Sequence, residues 1–432
     1  MIQEFSVENF RSIKTKQTLS FRANNKIHTG SDEYLVTEIN PNVRLLKLCV
    51  LYGYNASGKS NLLLALQFLR NLVVDGPSTK NEKTGFIPFL LDATTRNEPG
   101  TFSIVFYIDS VRYEYLICLD EKRIHREALR FTPGERIATL FSRTYDAENS
   151  ISKLNIGQKC SLSAKDKVIL DGNTLENSST LFAYQKSNIH SPVLDAVIAF
   201  FKKTLMPSIN PNVRLRNWSM DRFASNASQK QFLVSLMEKA DFQISDLEVK
   251  NTIMPVDENL LKQFTEQGAP PSFLESLQKN NQLEIKELLF THATQTGTYQ
   301  IPAEDESDGT MRFFGLGGVL QLLVSSPHFV AIDELESSLH PDLVAFYLQM
   351  FLMNSHDSQL IVTTHAQYLM EQDYVRNDMV WFCEKQENGA SEYYSAQEFN
   401  LHKNNNIANF YQAGKLGAKP VLGNPLLRRI DQ

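Results

Sequence analysis

The chain has 432 residues, 42% hydrophobic and 21% charged, with a formal net charge of −6. That balance is ordinary for a soluble globular protein of roughly two to three domains. The acidic total argues against a generally basic nucleic-acid binder and leaves only a local basic patch open.

No apolar run reaches the roughly 18 residues of a transmembrane helix. The opening "MIQEFSVENFRSIK" alternates like a strand and lacks the apolar stretch of a secretory leader. A cytoplasmic protein with no membrane contact is expected. Cys49, Cys118, Cys160 and Cys383 lie far apart, with no CxxC pair. Cys49 and Cys118 sit in apolar strand-like runs, so neither a disulfide nor a zinc site is expected.

In chain order, "FSVENF" reads as a strand and "RSIKTKQTLSFRA" as a second one returning across a turn. "LLKLCVLY" is a continuous apolar run of strand length, as a buried central strand requires. Residues 61–74 are apolar on nearly all faces and read as a buried helix. Residues 75–100, with Pro77, Gly85, Pro88, Pro99 and Gly100, read as loop. "TFSIVFYIDSVRYEYLICLD" alternates around Asp109–Ser110, a hairpin signal.

From about 175 to 281 the period becomes helical. "SPVLDAVIAFFKKTL", "SQKQFLVSLMEKA" and "PPSFLESLQKNN" are short helices with Ser or Pro near their starts. None sustains three heptads, so no long coiled coil is expected. "QLEIKELLFTHAT" returns to strand. From 308 onward helix and strand alternate through "HFVAIDE", "QLIVTTH" and "DMVWFCE". That order predicts parallel strands with helical crossovers. The expected division is 1–175, an N-terminal lobe; 176–281, a helical insertion for a lid or partner; and 282–432, a C-terminal lobe.

The sequence "GYNASGKS" at 53–60 fits G-x-x-x-x-G-K-[ST], with a strand before it and a helix after it. Glycines let successive N–H groups turn toward phosphate oxygens, and a helix N-terminus adds partial positive charge. Gly53, Asn55, Ala56, Ser57, Gly58, Lys59, Ser60 and Asn61 are the expected phosphate-binding residues. Lys59 is expected on the β/γ-phosphates and the Ser60 hydroxyl on Mg²⁺. The strand "FVAI" ends in Asp333-Glu334. Asp333 is expected near the magnesium, and Glu334 as the general base for water. The next strand ends in His365 after Thr363-Thr364, which points His365 at the γ-phosphate.

"ENFRSIK", "GYNASGKSNLL", "ESDGTMRF", "IDELESSLHP", "TTHAQYLM" and "FYQAGKLGAKP" together resemble the AAA15 or OLD-like ATPases, ABC-type heads related to the SMC and RecF group. The resemblance is strong over 1–70 and 300–420. It implies an α/β fold: an ABC-type P-loop ATPase head with a mostly parallel core sheet, an antiparallel β subdomain and a short helical insertion. It implies ATP with Mg²⁺, and a head-to-tail dimer in which Ser307 and Gly309 of a second copy complete the site. Those two residues stand at the signature position but depart from the LSGGQ of transporters. Arg11 and Ser12 match positions near the nucleotide in the wider group. The Q-loop glutamine is not placed.

With a short stretch after His365 and no DxD cluster, a Toprim metal domain like that of the OLD nucleases is not expected. There is no NKxD for guanine, so ATP is expected over GTP. The resemblance implies an ATPase subunit of an anti-phage complex that controls a separate effector such as a nuclease. The alternative is a RecF-like sensor of DNA ends. Its candidate contacts are Lys122, Arg123, Arg126 and Arg130, then Lys202, Lys203, Arg214, Arg216 and Arg222 with Trp218 for stacking. A solvated charged face is the simpler reading of those residues.

Overall fold

The computed structural model describes residues 1–27, 30–149, 151–224, 226–240, 242–266, 268–399, 407–420 and 423–424. Two compact units form: one of Met1–Val213, Leu323–Ser337 and Val344–Gln432, the other of Arg214–Leu322 and Ser338–Leu343. No helix among the described residues is long and apolar enough to cross a membrane.

The core of the first unit is a five-stranded sheet. Its order is Phe329–Ile332, Gln359–Thr364, Leu48–Tyr52, Val380–Lys385, Ser391–Ser395. The first four strands are parallel, and the last returns as an antiparallel hairpin. Every residue of Leu48–Tyr52 is buried. A parallel strand covered on both faces needs this unbroken apolar composition, because no side chain reaches water. The helices Lys59–Val74 and Pro341–Asn354 follow two of these strands. The helix expected between Gln359–Thr364 and Val380–Lys385 is absent. Two short 3₁₀ turns, Gln367–Glu371 and Asn377–Met379, stand there instead. The buried Arg376 between them bonds Asp378, Asp32 and the Asn24 carbonyl, which holds the chain extended.

A seven-stranded antiparallel sheet completes this unit. It runs Ile151–Ile156, Ala138–Asp146, Ile124–Thr132, Val111–Leu119, Gly100–Ile108, Ile2–Glu8, Gln17–Ser20. The expected hairpin turns at Asp109 and Ser110, both at positive φ (47° and 63°), the twist a two-residue connection needs. The second strand is shorter than the sequence suggested. Asn9 and Arg11 adopt positive φ, and Phe10 bridges to Ile13. The Asn9 side chain donates to the carbonyls of Thr95 and Glu98 and accepts from the Phe89 amide, so the long loop is tied to this tight turn. Gln359 joins the two sheets: its amide accepts from Ile2 N at 2.6 Å and donates to Ile2 O at 2.9 Å and Leu46 O at 3.1 Å.

The mostly parallel core sheet and the antiparallel subdomain match the expected fold class. The insertion does not. Residues 176–213 lie within the first unit, where helix Thr180–Lys186 packs against Lys59–Val74. The second unit is mixed rather than helical. It carries a three-stranded antiparallel sheet, Ile244–Pro255, Gln282–Thr294 and Gly297–Pro302, with helices Leu215–Ala224 and Ala227–Lys239. Strand Ile244–Pro255 was hidden because its outer half, from Lys250, is exposed and lacks the alternation that marks a strand.

One buried ion pair fastens the antiparallel sheet. Arg143 donates to the carbonyls of Ser178 and Leu175 at 2.8 Å each and lies 3.7 Å from Glu127. Glu127 accepts from Tyr115 and from both the amide and the hydroxyl of Thr180. Removing one partner leaves an uncompensated buried charge. Arg143→Ala should therefore cost about 3–5 kcal/mol in a denaturant titration, and a loss below about 1 kcal/mol would contradict this role.

Candidate functional site

Three neighbouring parallel strands deliver the site. Tyr52 ends the central strand, Ile332 and Thr364 end its companions, and the loops after them carry the polar residues. The carboxyl ends of parallel strands are where such sheets bind ligands.

Lys59 opens the helix Lys59–Val74 and is buried, 6% exposed. Its Nζ donates to Gly53 O at 2.8 Å and Tyr54 O at 3.3 Å, and lies 3.2 Å from His365 Nε2. The loop is thus bent around its own lysine. Burial lowers the Lys59 pKa, while Asp333, Glu334 and Glu336 act the other way. Burial, then the Lys59 charge, also lowers the His365 pKa from 6.5, against Glu336, Glu334 and Asp333. His365 is therefore neutral at pH 7, and its Nε2 can accept from Lys59.

The acidic strand end is fixed by Thr363. Its hydroxyl donates to Asp333 Oδ1 and accepts from the Glu334 amide at 2.9 Å. Glu334 is exposed and sits at φ +48°, a left-handed conformation rare for a non-glycine. That turn sends its carboxylate out of the strand while its backbone stays bonded. Glu336, a residue the sequence reading did not single out, accepts the His365 amide at 2.5 Å through Oε1. Its Oε2 is buried with no hydrogen-bond partner. Only the fold brings Glu336 to His365; its spacing after Asp333 carries no separate signal.

The remaining expected residues separate into groups. Asn55 and Ala56 are exposed on the loop, with Ala56 at φ +64°, and Ser60 is exposed in the first turn of the helix. The Ser57 hydroxyl is buried and has no partner. Asn61 Nδ2 donates to the Ser12 hydroxyl at 2.7 Å, which places Ser12 against the loop. Arg11 shows a different environment: its amide bonds Ile87 O and its guanidinium lies over the Phe10 ring at 5.6 Å. Ser307 and Gly309 belong to the second unit. Ser307 caps the helix Asp308–Ser325, accepting the Thr310 amide at 3.0 Å, and a Cβ on Gly309 would lie 3.0 Å from Ser338 O. Ser391 and Tyr393 also touch the phosphate loop, unforeseen, from the far end of the chain.

The donor set suits a nucleotide with Mg²⁺. Ser57 offers an unpaired hydroxyl and Lys59 a buried charge, and the helix N-terminus lies beside both. Ser60 and Asp333 offer the hard oxygens that Mg²⁺ prefers. Fold and site together define a P-loop nucleotide-binding protein. A family model described as "AAA domain, putative AbiEii toxin, Type IV TA system" matches residues 48–371, and the chain belongs to that family. The placement expected from the motifs is borne out at this level.

No curated protein matches the chain. Among solved structures it is similar to the SMC head domain from Thermotoga maritima, at 12% identity and a TM-score of 0.41, over 91% of this chain and 98% of that one. A Smc head bound to the C-winged helix domain of ScpA gives 12% and 0.42, over 93% and 99%. A Smc head with an extended coiled coil, bound to the C-terminal domain of ScpA from Pyrococcus furiosus, gives 12% and 0.39, over 97% and 99%.

The Glu336 carboxylate raises the pKa of His365. Glu336→Gln should therefore move the His365 titration midpoint further down, followed by NMR. A midpoint that moves up would contradict the assigned contact.

Proposed function

We propose that this chain is an ATP-binding and hydrolysing ABC-type ATPase, the sensor or regulatory subunit of a bacterial anti-phage complex that controls a separate effector such as a nuclease. One observation carries the ATPase part: Lys59, Thr363, Asp333, Glu336 and His365 converge around one phosphate loop. The family description, which names a toxin of a toxin–antitoxin system, supports the defence part.

In this reading the loop amides and Lys59 hold the phosphates. Ser60 and Asp333 hold Mg²⁺, which when bound neutralises phosphate charge. Thr363 keeps Asp333 and the Glu334 backbone in register. The exposed Glu334 carboxylate orients water and takes its proton. Neutral His365 accepts from Lys59 Nζ and so steadies the ammonium facing the γ-phosphate. Ser307 and Gly309 of a second copy present a capped helix N-terminus to the same phosphate, closing a head-to-tail dimer. ATP held by two copies favours the closed state by its differential affinity for it, and that bias is what an effector would read.

The RecF-like reading has less support. Some of its basic residues have local partners: Arg123 lies 4.4 Å over the Tyr145 ring and 3.6 Å from Glu176, and Arg130 lies 3.8 Å from Glu114. Arg216 lies 4.0 Å from Glu304, and the Trp218 ring is covered by Arg222 at 5.0 Å. Nearby carboxylates account for Arg123, Arg130 and Arg216 without a nucleic acid.

Lys59→Ala should abolish ATP binding. Glu334→Gln should keep ATP, lose hydrolysis by at least about 100-fold, and double its mass in light scattering when Mg·ATP is added. Wild-type hydrolysis by Glu334→Gln would remove Glu334 as the base. A mass unaffected by ATP would remove the clamp model.

A further inference from the structure

We infer that Ser391 and Tyr393, on the edge strand Ser391–Ser395, are positioning residues that set the direction of two consecutive peptides in the phosphate loop. The inference rests on the nucleotide reading above and adds to it how the loop is held open for phosphate.

The Ser391 hydroxyl donates to Ser57 O at 2.5 Å. A carbonyl has no proton to give, so the one Ser391 proton is committed there. The Ser12 and Ser391 hydroxyls are 2.8 Å apart, and Ser12 must then be the donor between them. Asn61 Nδ2 in turn donates to Ser12 at 2.7 Å. The result is a relay, Asn61 to Ser12 to Ser391 to the Ser57 carbonyl. The Cys383 thiol reaches the same carbonyl at 3.3 Å. One peptide further on, the Tyr393 hydroxyl donates to Gly58 O at 2.7 Å.

A trans peptide is planar, so its C=O and the next N–H point opposite ways. Drawing the Ser57 carbonyl toward the strand turns the Gly58 N–H away from it. Drawing the Gly58 carbonyl does the same for the Lys59 N–H. Neither amide, nor that of Ser60, has a protein acceptor among the described residues. Successive free N–H groups at a helix N-terminus form an anion-binding concavity. The clamp thus selects the peptide orientation that phosphate needs before any ligand arrives.

The packing enforces this arrangement. Gly58 sits at φ +118°, and a Cβ there would lie 2.0 Å from Ser391 Oγ. Clamp and side chain exclude each other, which is a reason for glycine beyond its backbone freedom. Ser391 and Tyr393 are buried, 2% and 6% exposed, so water does not compete for their protons. Their strand is pinned by pairing with Val380–Lys385, which pairs with the central strand, and by the Tyr393 amide donating to Gln17 Oε1 at 2.9 Å.

The test is calorimetric titration of the full chain with Mg·ADP, alongside thermal melting without ligand. Tyr393→Phe and Ser391→Ala should each weaken Mg·ADP about tenfold, the cost of one lost orienting hydrogen bond. Their ligand-free melting temperatures should stay within about 4 °C of wild type. Tyr394→Phe is the control. It removes the neighbouring hydroxyl, which donates to Leu416 O at 2.8 Å, and should bind Mg·ADP as wild type does. Wild-type affinity in both Tyr393→Phe and Ser391→Ala overturns the proposal, as does an equal loss in Tyr394→Phe. A wild-type chain that takes up no Mg·ADP overturns the nucleotide reading itself, and the clamp with it.

Discussion

The buried ammonium of Lys59 is the constraint around which the first unit is arranged. A charge 6% exposed is costly unless partners surround it. Here the partners are carbonyls of its own loop, a neutral histidine and three nearby carboxylates. Each comes from the end of a parallel strand or from the loop after it. The sheet order therefore decides whether the charge is tolerable, because it places the acidic strand and the His365 strand on one side of the central strand. Asp333, Glu334 and Glu336 each favour the charged form of the lysine against that burial.

The rest of the unit holds those strand ends still. Gln359 ties the first strand of the antiparallel sheet to the core strands through three hydrogen bonds. Asn9 fastens the long loop to the end of that first strand. Lys47 offers a quieter example: its buried Nζ donates to Ser355 O at 2.6 Å and so closes the end of the helix Pro341–Asn354. Each uses a buried polar side chain to satisfy backbone groups that no ladder reaches. The geometry at the site is correspondingly over-determined, which is what a residue such as Glu334, held at φ +48°, requires.

The second unit follows a different logic. Its helix Asp308–Ser325 carries Gly315, Gly317 and Gly318. A Cβ on these would meet Leu215 at 2.7 Å, Leu233 and Leu236 at 2.9 Å, and Ser219 at 2.3 Å. Absence of side chains lets the neighbouring helices approach closely, and Phe314 fills the gap between Phe223 and Phe290. The helix start is capped by Ser307, whose hydroxyl takes up the Thr310 amide that the helix itself leaves unpaired.

Local chemistry made part of this protein legible in the sequence. An unbroken apolar run means a strand covered on both faces. A Gly-rich turn before a helix means an anion site. Acidic and histidine residues at successive strand ends mean polar groups gathered at one edge of the sheet. Those signals are short-range, so the strand "LLKLCVLY", the turn "GYNASGKS" and the strand-end positions of Asp333, Glu334 and His365 could be read directly. Only the tertiary structure decided the rest. Ser391 and Tyr393 meet the loop across more than 330 positions of chain, and Glu336 meets His365 across 29. Such contacts leave no periodicity, because a serine or tyrosine on an edge strand looks the same whether it faces water or a carbonyl. The outer half of Ile244–Pro255 was lost for the related reason that an exposed strand carries no burial pattern to betray it.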